Sequence, residues 1–399
     1  MPALMIELTP SELFEQDTLV DLTRRTAPHG VLSVYVHTDT GADPGLQGAA
    51  IDLKNRLSEL ERNIAAEGPR ERAEAVRDGV RRLAGEIERL TDPQEPGRGR
   101  ALFAPLGDGE PIRLSSQMPL PNRVVLDDRP FVHPLLELLD EGRPAGVVLV
   151  SQDEARVLEW RLGELRELER LEAEVTEAPH ERSGPVGSPS GTRSHSPMGE
   201  QRQAREREMT RRFLEQVADT AARLAAERGW ERVLVSGGDR LTEPAIGALR
   251  LPAHVTVVRD PRVLTQLDHA SLSAKVTEQL HAQHEEHEAR LVARARDAAL
   301  GSGAGALGLS EVAGALNEGR VAHLIYDPEI RYQGGVDADG RLLAAGESGP
   351  GGASPTPDTR LTERLVERAL ETGARVTPVE GASRAALAEA EGIAALLRW

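Results

Sequence analysis

The chain has 399 residues, no cysteine, and 65 acidic against 48 basic side chains, a formal net charge of −17. At roughly 150 residues per domain, this length predicts two or three domains. The missing cysteine excludes disulfides and thiolate metal sites, and the acidic balance excludes a general nucleic-acid coat. Aromatic residues are 3% of the total, so the cores must be built from Leu, Val and Ala. No stretch approaches the roughly 18 unbroken apolar residues of a membrane span. The N-terminus has neither the basic segment nor the apolar stretch of a secretory signal. A soluble, cytoplasmic, monomeric protein with no membrane partner is expected. Lys54 and Lys275 are the only lysines. The dominance of arginine fits a genome rich in Arg codons first, and second a surface made for phosphate, which the guanidinium fork grips in bidentate fashion.

In chain order, "GVLSVYVHT" (30–38) alternates, is rich in Val and predicts a strand. Two amphipathic helices follow, with apolar residues at helical spacing: Leu53, Leu57, Leu60 and Ile64, then Val76, Val80, Leu83 and Ile87. "TDPQEPGRGR" ends the second. "ALFAPL" and "PIRLSS" predict a strand pair, and "PFVHPLLELLDE" a short helix, closing an N-terminal α/β domain over 1–142.

A central domain is expected over 143–266. It opens with an apolar strand, 146–150, and continues as a meander through "ARVLEWRL" and "LRELERLEAEV". A long loop, 176–201, is rich in Ser, Gly and Pro and too poor in apolar residues to fold alone. Loops of this length inside a domain are commonly functional. Ser196-Pro197 suits a helix start, as cap and first helical residue. The helix should run to about Arg228, with Phe213, Val217, Ala221 and Leu224 facing inward. Strand, helix and strand follow ("ERVLVSGGD", "TEPAIGALRL", "HVTVVRD"), giving a central sheet with flanking helices. Around the loop and helix, Arg193, Arg202, Arg205, Arg207, Arg211 and Arg212 outweigh Glu200, Glu206 and Glu208, against the trend of the whole chain.

The remainder, 267–399, begins with a long helix (about 267–299) and then alternates helix and strand. Ser310 is the expected cap of "LSEVAGALNEGR", and "GESGPGGASPTPD" (346–358) is a second Gly/Pro-rich loop. The fold class is therefore α/β (α+β) in three domains, ending in a C-terminal α/β/α sandwich.

"GLSEVAGALNEGRVAHLIYD" (308–327), "ALETGARVTPVE" (369–380) and "EGIAALLRW" (391–399) resemble the C-terminal domain of the archaeo-eukaryotic class-I peptide release factors and their paralogue Pelota. The likeness in order, spacing and punctuation extends over about 250 residues, and is closest to the bacterial branch that includes Balon-like hibernation factors. It implies a ribosome-binding translation factor. In that family the central loop carries Gly-Gly-Gln into the peptidyl-transferase centre, and the helix after it lies on ribosomal RNA. The corresponding position here is Gly199-Glu200-Gln201, and the implied RNA-binding set is Arg193, His195, Gly199, Glu200, Gln201, Arg202, Arg205, Arg207, Arg211 and Arg212. Glu200 replaces the central Gly, adding bulk and negative charge where glycine's conformational freedom is used. The resemblance therefore implies a non-catalytic factor that fills the A site in hibernation or stalled-ribosome rescue. Two alternatives stand beside it: a peptidyl-tRNA hydrolase using Gln201, and an adaptor that no longer binds ribosomes. The family's stop-codon motif, Asn-Ile-Lys-Ser, does not occur in 1–142. A translational GTPase such as elongation factor Tu would dock on 300–399. No cofactor is expected.

Three further patterns carry less. His281, His284 and His287 form H-x-x-H-x-x-H, which fits a solvated face better than zinc, since i and i+6 lie about 120° apart on a helix. "VSGGD" (235–239) lacks the third Gly of G-x-G-x-x-G and the Lys of a P-loop, and reads as a tight turn. Asp127, Asp128 and Asp153 are expected as surface turn residues near strand ends.

Overall fold

The computed structural model describes residues 6–8, 16–38, 45–67, 69–173, 197–301, 303–349, 352 and 354–399. The chain divides into two compact units, one formed by Met1–Gly142 with His281–Trp399 and the other by Arg143–Leu280. The segments expected as first and third domains thus lie in one unit.

The first part of that unit runs β1 (Ile6–Leu8), α1 (Gln16–Thr23), β2 (Val31–His37), α2 (Gly45–Glu67), α3 (Arg70–Arg82), α4 (Ala84–Arg89), β3 (Gly99–Pro105), β4 (Ile112–Ser116), β5 (Arg123–Asp127) and α5 (His133–Glu141). Its sheet has the order β1-β4-β3-β2-β5, antiparallel except for the parallel pair β1–β4. Leu32, Val34 and Val36 of β2 meet Leu53 and Leu57 of α2, Val76 of α3 and Ile87 of α4 in one core. The apolar spacing located these faces correctly. It missed the break of the second helix at Leu83, whose backbone (φ −88, ψ 1) separates α3 from α4. Buried Arg100 closes the turn that follows, donating to the carbonyls of Leu90 at 2.9 Å, Asp92 at 2.8 Å and Pro96 at 3.1 Å.

The second unit contains β6 (Ala145–Val150), β7 (Glu154–Arg161), β8 (Glu164–Glu172), α6 (Pro197–Arg228), β9 (Arg232–Gly237), α7 (Asp239–Ala248) and β10 (Thr256–Arg259). The expected meander is present as β6-β7-β8, within a sheet of order β10-β9-β6-β7-β8. Strands β6, β9 and β10 are parallel, because the α6 and α7 crossovers return the chain in the same direction. The β7–β8 turn is the pair Leu162-Gly163, both at positive φ (51° and 82°), matching the twist of a two-residue hairpin. Phe213, Val217, Ala221 and Leu224 pack on Val148, Val157 and Val235. Gly146 makes room for Trp230: a Cβ there would lie 2.3 Å from the indole ring.

Helix α8 (His269–Gly301) passes from one unit to the other between Leu280 and His281. After it come β11 (Gly305–Leu307), α9 (Gly308–Asn317), β12 (Val321–Tyr326), β13 (Gly334–Val336), β14 (Leu342–Ala344), β15 (Thr356–Pro357), α10 (Leu361–Glu371), β16 (Arg375–Pro378), α11 (Gly381–Leu387) and β17 (Ile393–Leu397). The main sheet has the order β11-β17-β12-β16, and β14-β13-β15 form a small second one. Ser310 does not cap α9: the helix begins at Gly308, and the Ser310 hydroxyl binds Glu347 instead. The free amide of Leu309 is taken by Glu391 at 2.9 Å.

Within the first unit, α5 packs against β16. Residues far apart in sequence meet there. The Tyr326 hydroxyl lies 2.8 Å from His133 Nδ1, and the Thr377 hydroxyl donates to Asp140 at 2.9 Å. Arg129 pairs with Glu367 at 2.7 Å, and Arg360 with Asp127 at 2.5 Å.

Candidate nucleic-acid interface

Helix α6 has two halves of opposite character. From Phe213 onward its inward residues are buried on the sheet. From 201 to 212 no residue is buried. The sequence explains the change: apolar residues at helical spacing begin at Phe213, and before it the only apolar side chains from 201 on are Ala204 and Met209. The outer half is a stem of arginines and glutamates. At about 1.5 Å per residue it is about 18 Å long.

Arg202, Arg205, Arg207, Arg211 and Arg212 lie together on this stem, all exposed. Arg193 and His195 lie outside the described residues. Gly199 and Glu200 belong to the first turn of α6, and Gln201 follows as its fifth residue. The loop expected to reach 201 is therefore helical from Pro197, a residue favoured at the first helical position. In an α-helix the fifth residue donates its amide to the first residue's carbonyl, so the Gln201 N–H is committed within the helix. The Gln201 side chain is exposed.

The electrostatics of the stem are set by its glutamates. Arg202 Nε donates to Glu206 at 3.3 Å. Arg211 donates to Glu208 from Nε at 2.9 Å and from Nη2 at 2.8 Å, and from Nη1 to Glu215 at 2.5 Å. Arg212 Nε donates to Glu208 at 2.8 Å. Hydrogen bonds from Arg211 and Arg212 pull the Glu208 carboxyl down to about 2. Arg205 and Arg207 make no ion pair among the described residues. The residue counts showed an excess of positive charge but not this division of labour. The i,i+4 spacing of Arg202–Glu206, Glu208–Arg212 and Arg211–Glu215 was the available signal.

The other patterns resolve into structure. His281 Nδ1 lies 2.8 Å from Glu141, and His284 Nε2 lies 3.4 Å from Glu288. For His284, burial opposes the charge, but Glu288, Asp140 and Glu141 together outweigh it and raise the pKa. Among the described residues no group of three or more His, Asp or Glu side chains is placed to hold a metal. The "VSGGD" segment is the β9–α7 turn. A Cβ on Gly237 would meet the Val150 carbonyl at 2.4 Å, and Asp239 binds Arg259 at 2.7 Å. Asp127 departs from expectation: it is a half-buried partner of Arg360, and burial raises its pKa. Asp128 donates its amide to Asp127 at 2.7 Å, while Asp153 is an exposed turn residue. No helix among the described residues is long and apolar enough to cross a membrane.

Residues 130–285 match the model of bacterial archaeo-eukaryotic release factor family 10, a segment that contains the whole second unit and therefore the stem. The uncharacterized protein YocB of Bacillus subtilis is 25% identical over 260 residues, 63% of this chain and 93% of its own length. Among solved structures, an archaeal translation termination factor, aRF1, aligns over 99% of both chains at 18% identity and a TM-score of 0.27. Archaeoglobus fulgidus Pelota covers 75% of this chain and 79% of its own at 16% identity, with a TM-score of 0.32. A model of ribosome-bound archaeal Pelota and ABCE1 covers 100% and 96% at 14% identity, with a TM-score of 0.40. These superpositions are loose, and the family match covers residues 130–285.

Proposed function

We propose that this chain, whose residues 130–285 match the model of bacterial archaeo-eukaryotic release factor family 10, is a ribosome-binding factor that occupies the A site without catalysis, in hibernation or in rescue of stalled ribosomes. The observation that carries this reading is the arginine stem. It is a helical extension with no buried residue from 201 to 212, locally basic, on a chain of net charge −17. Positive charge in one place on an acidic body favours one docking orientation and repels the others. Ribosomal RNA is the anion-rich surface such a stem fits, and each phosphate contact would release counterions. Three working modules, 1–142, 143–266 and 267–399, would share the task. Arg193, His195, Gly199, Glu200 and Gln201 would extend the RNA contact beyond the stem's arginines, and a translational GTPase such as elongation factor Tu would engage 300–399.

The hydrolase reading is disfavoured by position 201. Its backbone amide is used inside α6, and the residue before it is Glu200, where the family resemblance has a central glycine. Two experiments separate the alternatives. Co-sedimentation of the full chain with 70S ribosomes should be strong at low salt and weak at high salt; no sedimentation at low salt would leave only the adaptor. Peptidyl-tRNA hydrolysis on those ribosomes should be absent. Turnover that disappears in Gln201→Ala would establish the enzyme instead.

A further inference from the structure

Not all of the stem's arginines are equivalent, and their differences give the stem a direction. At about 100° per residue, Gln201, Arg205, Glu208 and Arg212 fall within an arc of about 60° on α6. The buried residues of the same helix, from Phe213 to Ala225, span about 140° centred on the opposite side. Projected along the helix, the four form its outermost stripe. Arg207 points instead toward the side that faces the sheet further along, and Arg211 lies about 90° from the stripe, beyond the edge of that side.

Donor capacity separates Arg212 from Arg211; it does not separate Arg205 from Arg207, and angle alone does that. A guanidinium has five N–H donors. In Arg211 all three nitrogens are engaged, two by Glu208 and one by Glu215. In Arg212 only Nε is engaged, by the same Glu208 carboxylate. Its Nη1 and Nη2 groups carry no hydrogen bond among the described residues. That leaves a planar fork, held at its base by Glu208, with the edge suited to bidentate phosphate binding open. Arg205, about 10 Å along the axis on the same stripe, has all its donors open among the described residues.

We propose that α6 meets RNA along the stripe Gln201–Arg205–Glu208–Arg212, with Arg205 and Arg212 binding backbone phosphates and Glu208 acting as the positioning residue that orients Arg212. Arg211 is then an internal prop that balances Glu208 and Glu215. Arg207, with no ion pair among the described residues, lies on the wrong face. The proposal rests on the ribosome-binding reading and adds which side chains make the contact.

The test compares single Arg→Gln variants of the full chain in binding to vacant 70S ribosomes over a range of salt concentrations, with helicity checked by circular dichroism. Each variant removes one charge, so a purely summed-charge effect would treat all alike. Arg205→Gln and Arg212→Gln should each flatten the slope of log affinity against log salt by about 0.9. Arg207→Gln and Arg211→Gln should leave it unchanged. Glu208→Gln should leave the Arg205 contribution intact and remove most of that of Arg212, read by combining it with each arginine variant. Equal losses at all four arginines would overturn the stripe while leaving the stem as the RNA contact. A wild-type slope unaltered by any variant would overturn the stem as the interface, and with it the proposed function's main support. A stronger Arg212 contribution in Glu208→Gln would make the glutamate a competitor of phosphate and overturn its positioning role.

Discussion

Helix α5 and the outer half of α6 are both rich in polar side chains, and they use them in opposite ways. In α5, His133 and Asp140 are buried with Leu135, Leu136 and Leu138, and the polar pair is held by Tyr326 and Thr377. In the stem of α6, no residue from 201 to 212 is buried, and the ion pairs join residues three or four apart on the same helix. A buried polar group is fixed because separation from its partner leaves it desolvated and unmatched. An exposed intrahelical pair is exchangeable, because water and salt compete with it at little loss. The first arrangement builds structure; the second leaves charge available to a partner.

The contrast can be broken at several points. The largest effect is expected from Leu135→Ala, since this α5 side chain is 0% exposed. The loss should be about 2–5 kcal/mol in denaturant unfolding; a surface-like loss would mean α5 is not a core element. Next is the pH dependence of Glu137, whose carboxyl is pushed up to about 7 by burial and by Glu380 and Glu329, against Arg123 and Arg384. A carboxyl raised in the fold binds more protons folded than unfolded. Stability from this group therefore falls as pH rises from about 4.5 to about 7 and is level above that. Glu137→Gln should remove the fall and stabilise the protein by about 2–3 kcal/mol at pH 8, with little change at pH 4. His133 works in the other direction. Burial first, then Arg123 and Arg360, lower its pKa to about 3, so stability drops as pH falls from about 6.5 toward 3.

Tyr326→Phe removes the partner of His133 Nδ1, and Nε2 already has none among the described residues. A loss of about 1–3 kcal/mol is expected. The smallest effect on stability belongs to the stem. Arg205→Gln should leave the thermal midpoint unchanged while altering salt-dependent binding. A shift comparable to that of Tyr326→Phe would erase the distinction between the two helices.

The stem was legible in the sequence because its signal is local. Pro197 marks the start, Phe213 begins the buried stripe, and the arginines lie within eleven positions. The α5 network was not legible. His133 and Tyr326 are 193 positions apart, and Asp140 and Thr377 are 237 apart; no spacing rule joins them. Short strands escaped for a related reason. β1, β11 and β13 have three residues each and β15 has two, too few to show alternation, and β1 and β11 form by pairing with the distant strands β4 and β17. Ser310 misled because Glu391, 82 positions from Leu309, supplies the acceptor a capping serine would otherwise provide. The counter-ions Glu206, Glu208 and Glu215 were visible at helical spacing, but counting charges does not pair them.

The most direct measurement is a density map of the full chain on a 70S ribosome at low salt. It should place residues 201–212 against ribosomal RNA, with the Arg205 and Arg212 side chains on backbone phosphates. A bound particle in which that segment faces solvent or protein alone would contradict the account.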